Sequence, residues 1–457
     1  MNYTYSAAKM AQELKFAHLT SEIIDKTKLL ILDNIGCAIG GSTFNEALRL
    51  RKYLNTIDPG GTSTAFGGRN MTAENAAHAN AHSACMLSLD DSFIRFGHPG
   101  SSIIPAVLAV AQKLGSNGQD IITACVAAYE MSMRLGVAAQ ASVERDEIVK
   151  GYASWQVFGS SVGASKLYDF SASKMASAFG MTALHAPLPF LRKFHSRPMN
   201  WLKNNYGWAC KAGITAVELV NAGFDGNQTI FDGPNGYWAM MGSDKFDEDI
   251  FTQPYDDKSY VMDIGFKAYS GCRWSHTAID CIRTLMENEC LTNENLLELK
   301  IETVSEFVRD LDGDWPETTV DALFRTPYLV ALELHNKSSA LGLQEEDLGS
   351  AALKKTIKKI RMTSLDGADK KFFELGTLPV KLTATVNDGR TLQDCSEFPT
   401  GHPDGPQFGK SEIIAKFLSI STPVIGDCLS NNIVRHVLEL EKQPIALPYA
   451  MAQNSRY

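Results

Sequence analysis

Several features are missing from this 457-residue chain, and each absence closes off a class of function. No C-x-x-C and no tight cysteine pair occur; the nine cysteines (Cys37, Cys85, Cys125, Cys210, Cys272, Cys281, Cys290, Cys395, Cys428) are scattered. Such spacing suits free thiols in a reducing compartment, and it suits neither a disulfide framework, a zinc site nor an iron–sulfur cluster. Positive charge is not in excess. A formal net charge of −9 and a pI near 5.6 give no general electrostatic case for nucleic acid or an anionic membrane. Any anionic ligand must therefore be met by local cations. The opening Met-Asn-Tyr-Thr-Tyr-Ser lacks a basic region followed by an apolar run, so no signal peptide is read. No stretch of about 18 uncharged apolar residues suggests a membrane span. A cytoplasmic protein is the simple expectation. No G-x-G-x-x-G follows a strand, no Walker-A lysine loop occurs, and no G-x-S-x-G nucleophile elbow is present.

What is present is the composition of a globular enzyme: 44% hydrophobic and 21% charged residues in a chain too long for one core. The spacing predicts a helix from Ser21, expected as its cap, to Gly40, and another through Tyr53. An Ala-rich helix is expected over 72–89. It carries His78 and His82 at metal-compatible spacing, but no glutamate completes a zincin pattern, so no metal is expected. Helices are further expected from Ile103 to Leu114, over 119–140, 160–168 and 172–184, so that the chain to about residue 225 reads as a large helical domain. Basic residues (Lys193, His195, Arg197, Lys203, Lys211) lie among Trp201 and Trp208. At this net charge they read as core aromatics with one or two functional cations.

After about residue 286 the texture changes. Leu297–Val304, Ile357–Thr363 and Val380–Val386 alternate like strands, and Asn387-Asp388-Gly389 signals a hairpin. With helices expected near 318–334 and 349–355, this reads as a compact α+β domain of about 110 residues. Helices at Lys410–Leu418 and 428–441 are expected to return to the first domain. The fold class is therefore mostly α with α+β.

Two stretches carry the chemistry. In Asp90-Asp91-Ser92-Phe-Ile-Arg95-Phe-Gly-His98-Pro-Gly-Ser-Ser102, acids, an arginine and a histidine gather before an apolar helix that Ser101 or Ser102 could cap. In Gly265-Phe-Lys267-Ala-Tyr-Ser-Gly-Cys-Arg273-Trp-Ser-His276, three cations precede a helix that Ser275 or Thr277 could cap, an arrangement that would trap a carboxylate. Acid–base chemistry on an anionic substrate follows. Removing a proton beside a carboxylate needs a base tuned near neutrality and positive charge facing the enolate.

The runs Leu89-Asp-Asp-Ser-Phe…His98-Pro-Gly, Gly151…Phe158-Gly159, Lys203 with Ala212–Phe224, and Lys267…Cys272-Arg-Trp-Ser-His276…Ile279-Asp280 together resemble the MmgE/PrpD family across essentially the whole chain. Its activities include 2-methylcitrate dehydration, cis-aconitate decarboxylation and iminodisuccinate epimerisation. The resemblance implies a helical domain built from residues 1–266 and 400–457, an α+β lid over 267–399, a homodimer, and no metal or organic cofactor. Carried over position by position, His98 falls on the family histidine before Pro-Gly and Ser92 on its neighbouring threonine. Lys203 matches the lysine of the helical segment, and Lys267 and His276 match a later Lys–His pair. Two positions depart: Ser88 stands where family decarboxylases and dehydratases carry aspartate, and Ala153 where they carry histidine.

The resemblance thus implies a cofactor-independent, dehydratase-type lyase (a hydro-lyase) for a small di- or tricarboxylate. His98, His276, Lys267, Asp91 and Tyr152 are the catalytic candidates; Lys203, Arg273, Ser92 and Asp90 are the substrate-binding ones. In this reading the two histidines move protons, Asp91 orients one of them, and Tyr152 and Asp91 stand in for the groups missing at 88 and 153. An epimerase acting beside a carboxylate, a cis-aconitate-type decarboxylase and a degenerate carboxylate-binding protein are the alternatives.

Overall fold

The computed structural model describes residues 2–150, 152–191, 205–255, 259–313, 315–338 and 345–444. Its larger part is a helical body around the helix Ala73–Met86, in which every residue but Glu74 is buried. The alanines of that helix are there because its neighbours approach it closely. A Cβ on Gly41, at the end of the helix Ser21–Gly41, would lie 1.9 Å from the Ser83 carbonyl oxygen. Helices Gly100–Leu114, Gly118–Ala138, Tyr152–Leu167, Ala172–His185 and Tyr206–Asn221 complete this body. The tail helices Lys410–Ile425 and Asp427–Leu438 pack back onto Ser21–Gly41, so Leu30, Ile104, Tyr129, Phe158, Phe179, Ile413 and Phe417 share one apolar core.

Gly118–Ala138 is long and apolar enough, by composition, to cross a membrane, yet it is a core helix of this body. It buries a Glu130–Arg134 ion pair at 3.1 Å.

Thr20, not Ser21, caps the first long helix. The Thr20 backbone is extended (φ −72°, ψ 160°), which lets its hydroxyl turn back to accept from the Ile23 amide at 3.3 Å, while Ser21 is already helical. Thr20→Ala is expected to cost about 1 kcal/mol in urea unfolding, with Ser21→Ala near neutral.

The smaller part carries a four-stranded sheet in the order Ile360–Ser364, Leu296–Thr303, Val380–Val386, Thr391–Ser396. The first pair is parallel and the others antiparallel. Val380–Val386 alternates buried and half-buried residues, the pattern of a sheet with one face in the core. The hairpin turns at Asn387-Asp388-Gly389, with Gly389 at φ +88° as the turn demands. Helices His276–Glu289 and Thr326–Leu334 help build a second core with Ile282, Leu299, Ile301, Phe372 and Leu382.

The two cores meet along a seam of backbone bonds. Ser92 and Gly265 exchange both main-chain hydrogen bonds, at 2.9 and 2.8 Å, and the Phe266 amide donates to Gly401 at 2.9 Å. The Arg95 guanidinium donates to the Phe373 carbonyl at 2.9 Å across the same seam. Both polar stretches singled out in the sequence lie there.

Candidate active site

The loop leaving Ala73–Met86 begins with Ser88 in the left-handed region (φ +47°) and ends at Gly100, the first residue of the next helix. What closes the loop is Asp91. Its carboxylate accepts from the Gly100 amide at 3.0 and 3.2 Å and from the Tyr129 hydroxyl at 2.7 Å. A carboxylate thus caps the Gly100–Leu114 helix from nine residues upstream, in place of the expected Ser101 or Ser102. Ser101 instead donates to Asp90 Oδ2 at 2.7 Å, and Ser102 donates to the Pro99 carbonyl at 3.0 Å. Gly100 has no alternative here: a Cβ would meet Asp91 Oδ2 at 2.6 Å. Burial lifts the Asp91 carboxyl to about 7; Tyr129 pulls it down and the charge of Asp90 pushes it further up.

His98 is buried, and its Nδ1 lies 2.6 Å from the Asp91 backbone carbonyl. A carbonyl only accepts, so Nδ1 carries the proton, and in the neutral ring the lone pair sits on Nε2. Asp91, expected to orient a histidine, contacts one through its main-chain oxygen, because its carboxylate is committed to Gly100 and Tyr129. The Tyr206 hydroxyl accepts the His98 amide at 3.1 Å.

Lys267 is fully buried, so the cation cluster lies on an interior segment. Its ammonium donates to the Ser88 carbonyl at 2.9 Å, and to the Ser88 hydroxyl and the Gly271 carbonyl at 3.4 Å. Gly271 holds that carbonyl in place at φ +118°, a conformation only glycine adopts readily. Between the two distant stretches stands Asp90: its Oδ1 is 3.8 Å from His98 Nδ1 and 3.9 Å from Lys267 Nζ.

Arg273 uses Nη1 as a strut, donating to the Phe266 and Thr400 carbonyls at 3.0 Å each and toward His276 Nδ1 at 3.4 Å. Its Nε and Nη2 are buried without an acceptor among the described residues, and burial lowers the guanidinium to about 10. His276 opens its helix. Burial, then the charges of Arg273 and Lys267, hold its ring well below the ordinary histidine range, so it is neutral. Because Arg273 can only donate, His276 Nδ1 accepts and Nε2 bears the hydrogen, 3.4 Å from the Gly271 carbonyl. Neither Ser275 nor Thr277 caps this helix; Ser275 pairs instead with the Thr326 hydroxyl at 2.7 Å.

The structure therefore brings Asp90, Asp91, Ser92, His98, Lys267, Arg273 and His276 to one seam. Ser92 does so by its backbone, its buried hydroxyl meeting no partner among the described residues. Lys203 lies outside the described residues, and Tyr152 is described by its backbone alone, as the first residue of Tyr152–Leu167. His78 and His82 are buried in the body and lowered to about 4 by that burial. No group of three or more potential metal-ligating acids, histidines or cysteines occurs among the described residues.

Sequence reasoning missed a second buried ion pair behind the loop. Lys416, from the tail helix, lies 2.6 Å from Asp33 Oδ1 and donates to the Leu89 carbonyl at 2.7 Å. It missed His402 as well, lowered to about 4 by burial and by the charge of Arg273. An aspartate in the middle of an apolar helix was the available signal for the first; for the second there was none.

Two family models match the chain: the MmgE/PrpD N-terminal domain over residues 6–249 and the MmgE/PrpD C-terminal domain over residues 269–440. Among curated proteins it is similar to cis-aconitate decarboxylase of Mus musculus, 23% identical over 87% of this chain and 83% of the relative. The Homo sapiens cis-aconitate decarboxylase is 22% identical over 96% and 92%, and that of Aspergillus terreus 21% over 94% and 92%.

Proposed function

The chain belongs to the MmgE/PrpD family, its two family domains spanning residues 6–249 and 269–440, and from that premise we propose that it is a lyase acting on a small di- or tricarboxylate by proton transfer. The observation that carries this reading is the single carboxylate, Asp90, shared between the His98 imidazole and the Lys267 ammonium. In it, His98 Nε2 exchanges a proton with the carbon beside a substrate carboxylate, and Asp90 stabilises the imidazolium that forms. Lys267 supplies positive potential as charge develops on the substrate. His276, held neutral, serves as a hydrogen-bond donor through Nε2–H in place of the proton-moving role the sequence reading gave it. The idle Nε and Nη2 protons of Arg273 suit a carboxylate.

One consideration weights decarboxylation above the dehydration that the sequence reading put first. The relatives named above are carboxy-lyases. Ser88, at the position where family decarboxylases and dehydratases alike carry aspartate, spends its hydroxyl on the Gly271 carbonyl at 3.1 Å and so weighs against both eliminations equally. The same serine favours a second reading, epimerisation beside a carboxylate, which needs no leaving-group acid.

Proton NMR in deuterated water, with the purified chain and a panel including cis-aconitate and 2-methylcitrate, separates these reactions. Carbon dioxide loss with one solvent deuterium taken up on the product's carbon skeleton is the expected result. Loss of water would restore the hydro-lyase, and deuterium uptake without loss of either would establish the epimerase. Turnover of none of the acids would overturn the enzymatic reading in favour of a carboxylate-binding protein.

A further inference from the structure

The geometry points to Lys26 as a substrate-carboxylate-binding residue of this site. The inference rests on the polycarboxylate reading above and adds a cation that neither stretch contains. Lys26 lies on the helix Ser21–Gly41, two turns before Asp33 and so on the same face. Its ammonium sits 4.2 Å from the centroid of Phe266, the residue that precedes Lys267 and whose carbonyl holds Arg273. Asp91, Asp33 and Asp263 all act on it electrostatically. It therefore lies where the first long helix, the 263–267 segment and the seam meet.

What distinguishes it is the state of its donors. The Lys267 ammonium donates to oxygens of Ser88 and Gly271 and faces Asp90, and Lys416 is held by Asp33 and the Leu89 carbonyl. Lys26 makes no hydrogen bond and no ion pair among the described residues; its contact is with an aromatic face, which orients a cation and leaves its N–H groups unspent. The residue is half-buried, so solvent reaches it, unlike Lys267. Burial lowers its amine to about 8, against the opposing pull of Asp91, Asp33 and Asp263. Lys267 cannot accept a substrate carboxylate without surrendering a carbonyl it holds. Lys26 can.

Calorimetric titration of the full-length chain with citrate, tricarballylate and succinate tests this. Lys26→Met keeps the stem on Phe266 and removes the charge; it is expected to weaken binding of the tightest of these acids by about tenfold or more. Lys26→Arg is expected to keep most of the affinity, and in turnover Lys26→Met should raise KM with little change in kcat. Equal affinity in Lys26→Met and the unaltered chain overturns the inference while leaving the polycarboxylate reading intact. Equal losses in the Met and Arg variants also overturn it, since a structural amine behaves that way. If the unaltered chain binds none of the three acids, the polycarboxylate reading fails and takes this inference with it. Should either variant melt early, acetylation of the unaltered protein, read at Lys26 by peptide mass spectrometry, decides instead: protection by citrate supports the assignment, and equal labelling overturns it.

Discussion

Lys267→Met is expected to abolish turnover and to destabilise the chain, and adding Asp90→Asn to recover most of the stability and none of the turnover. Lys267 is fully buried, with Asp90 Oδ1 3.9 Å from its ammonium. Removing the cation alone leaves Asp90 as an uncompensated interior charge, a change that costs about 3–5 kcal/mol. Removing both charges leaves a neutral interior, because the amide oxygen introduced by Asp90→Asn can still accept from Ser101, which bonds Asp90 Oδ2 at 2.7 Å. The Ser88 carbonyl loses its bond from the Lys267 ammonium in both variants, so recovery stops short of the unaltered chain. Turnover is expected to fall by about 10² or more in each variant, since the positive potential facing the developing charge is gone in both. Urea unfolding and a turnover assay on the four chains of this cycle give the answer. If Lys267→Met turns over normally, Lys267 has no part in the chemistry. If the double variant is no more stable than Lys267→Met, the two groups are not coupled.

The second large effect is a pH dependence. Burial holds the Asp91 carboxyl at about 7 in the folded chain, far above its unfolded value of about 3.9. Below about pH 4 both states carry the proton and the contribution to stability is complete. As the pH climbs through about 7, the folded carboxyl must ionise in the interior whereas the unfolded one has already done so, and the contribution is lost. Across that window the difference is on the order of 4 kcal/mol. Asp91→Asn cannot ionise. It keeps an acceptor for the Gly100 amide or the Tyr129 hydroxyl but strands its own amide, so at pH 5 it is expected to be the less stable chain by about 1–2 kcal/mol. At pH 8 the order is expected to reverse. The buried histidines His78, His82 and His276 push the other way in acid, but they are common to both chains and cancel in the difference. Stability curves that run parallel from pH 4 to 8 would mean that Asp91 is ionised throughout and that burial does not control it.

Loop 88–98 shows how far the sequence could be read. Its mixture of acids, arginine and histidine between two apolar helices marked it as a place for chemistry, and that followed from composition and hydrophobic period alone. Which atom of Asp91 meets His98 did not follow, because the carboxylate is claimed by Gly100 and by Tyr129, a residue 38 positions on. The segment 265–276 was legible as a cluster of cations, but its burial was not. Its burial comes from partners far away in the chain: Ser88, Asp90, Thr400 and Gly401. Lys26 and Lys416 carried no local mark; a lysine on a helix looks the same whether its face meets water or another segment.

By itself, the sequence determined the long helices of the body, the strands of the four-stranded sheet, the hairpin at Asn387-Asp388-Gly389 and the family, because periodicity, turn chemistry and motif spacing are properties of neighbours along the chain. Only the tertiary structure decided that Asp90 stands between His98 and Lys267, that Arg273 is half strut and half open donor, and that Lys26 joins a site whose other residues lie far along the chain. Those facts depend on burial and on electrostatic distance, which exist only once segments remote in sequence have been packed side by side.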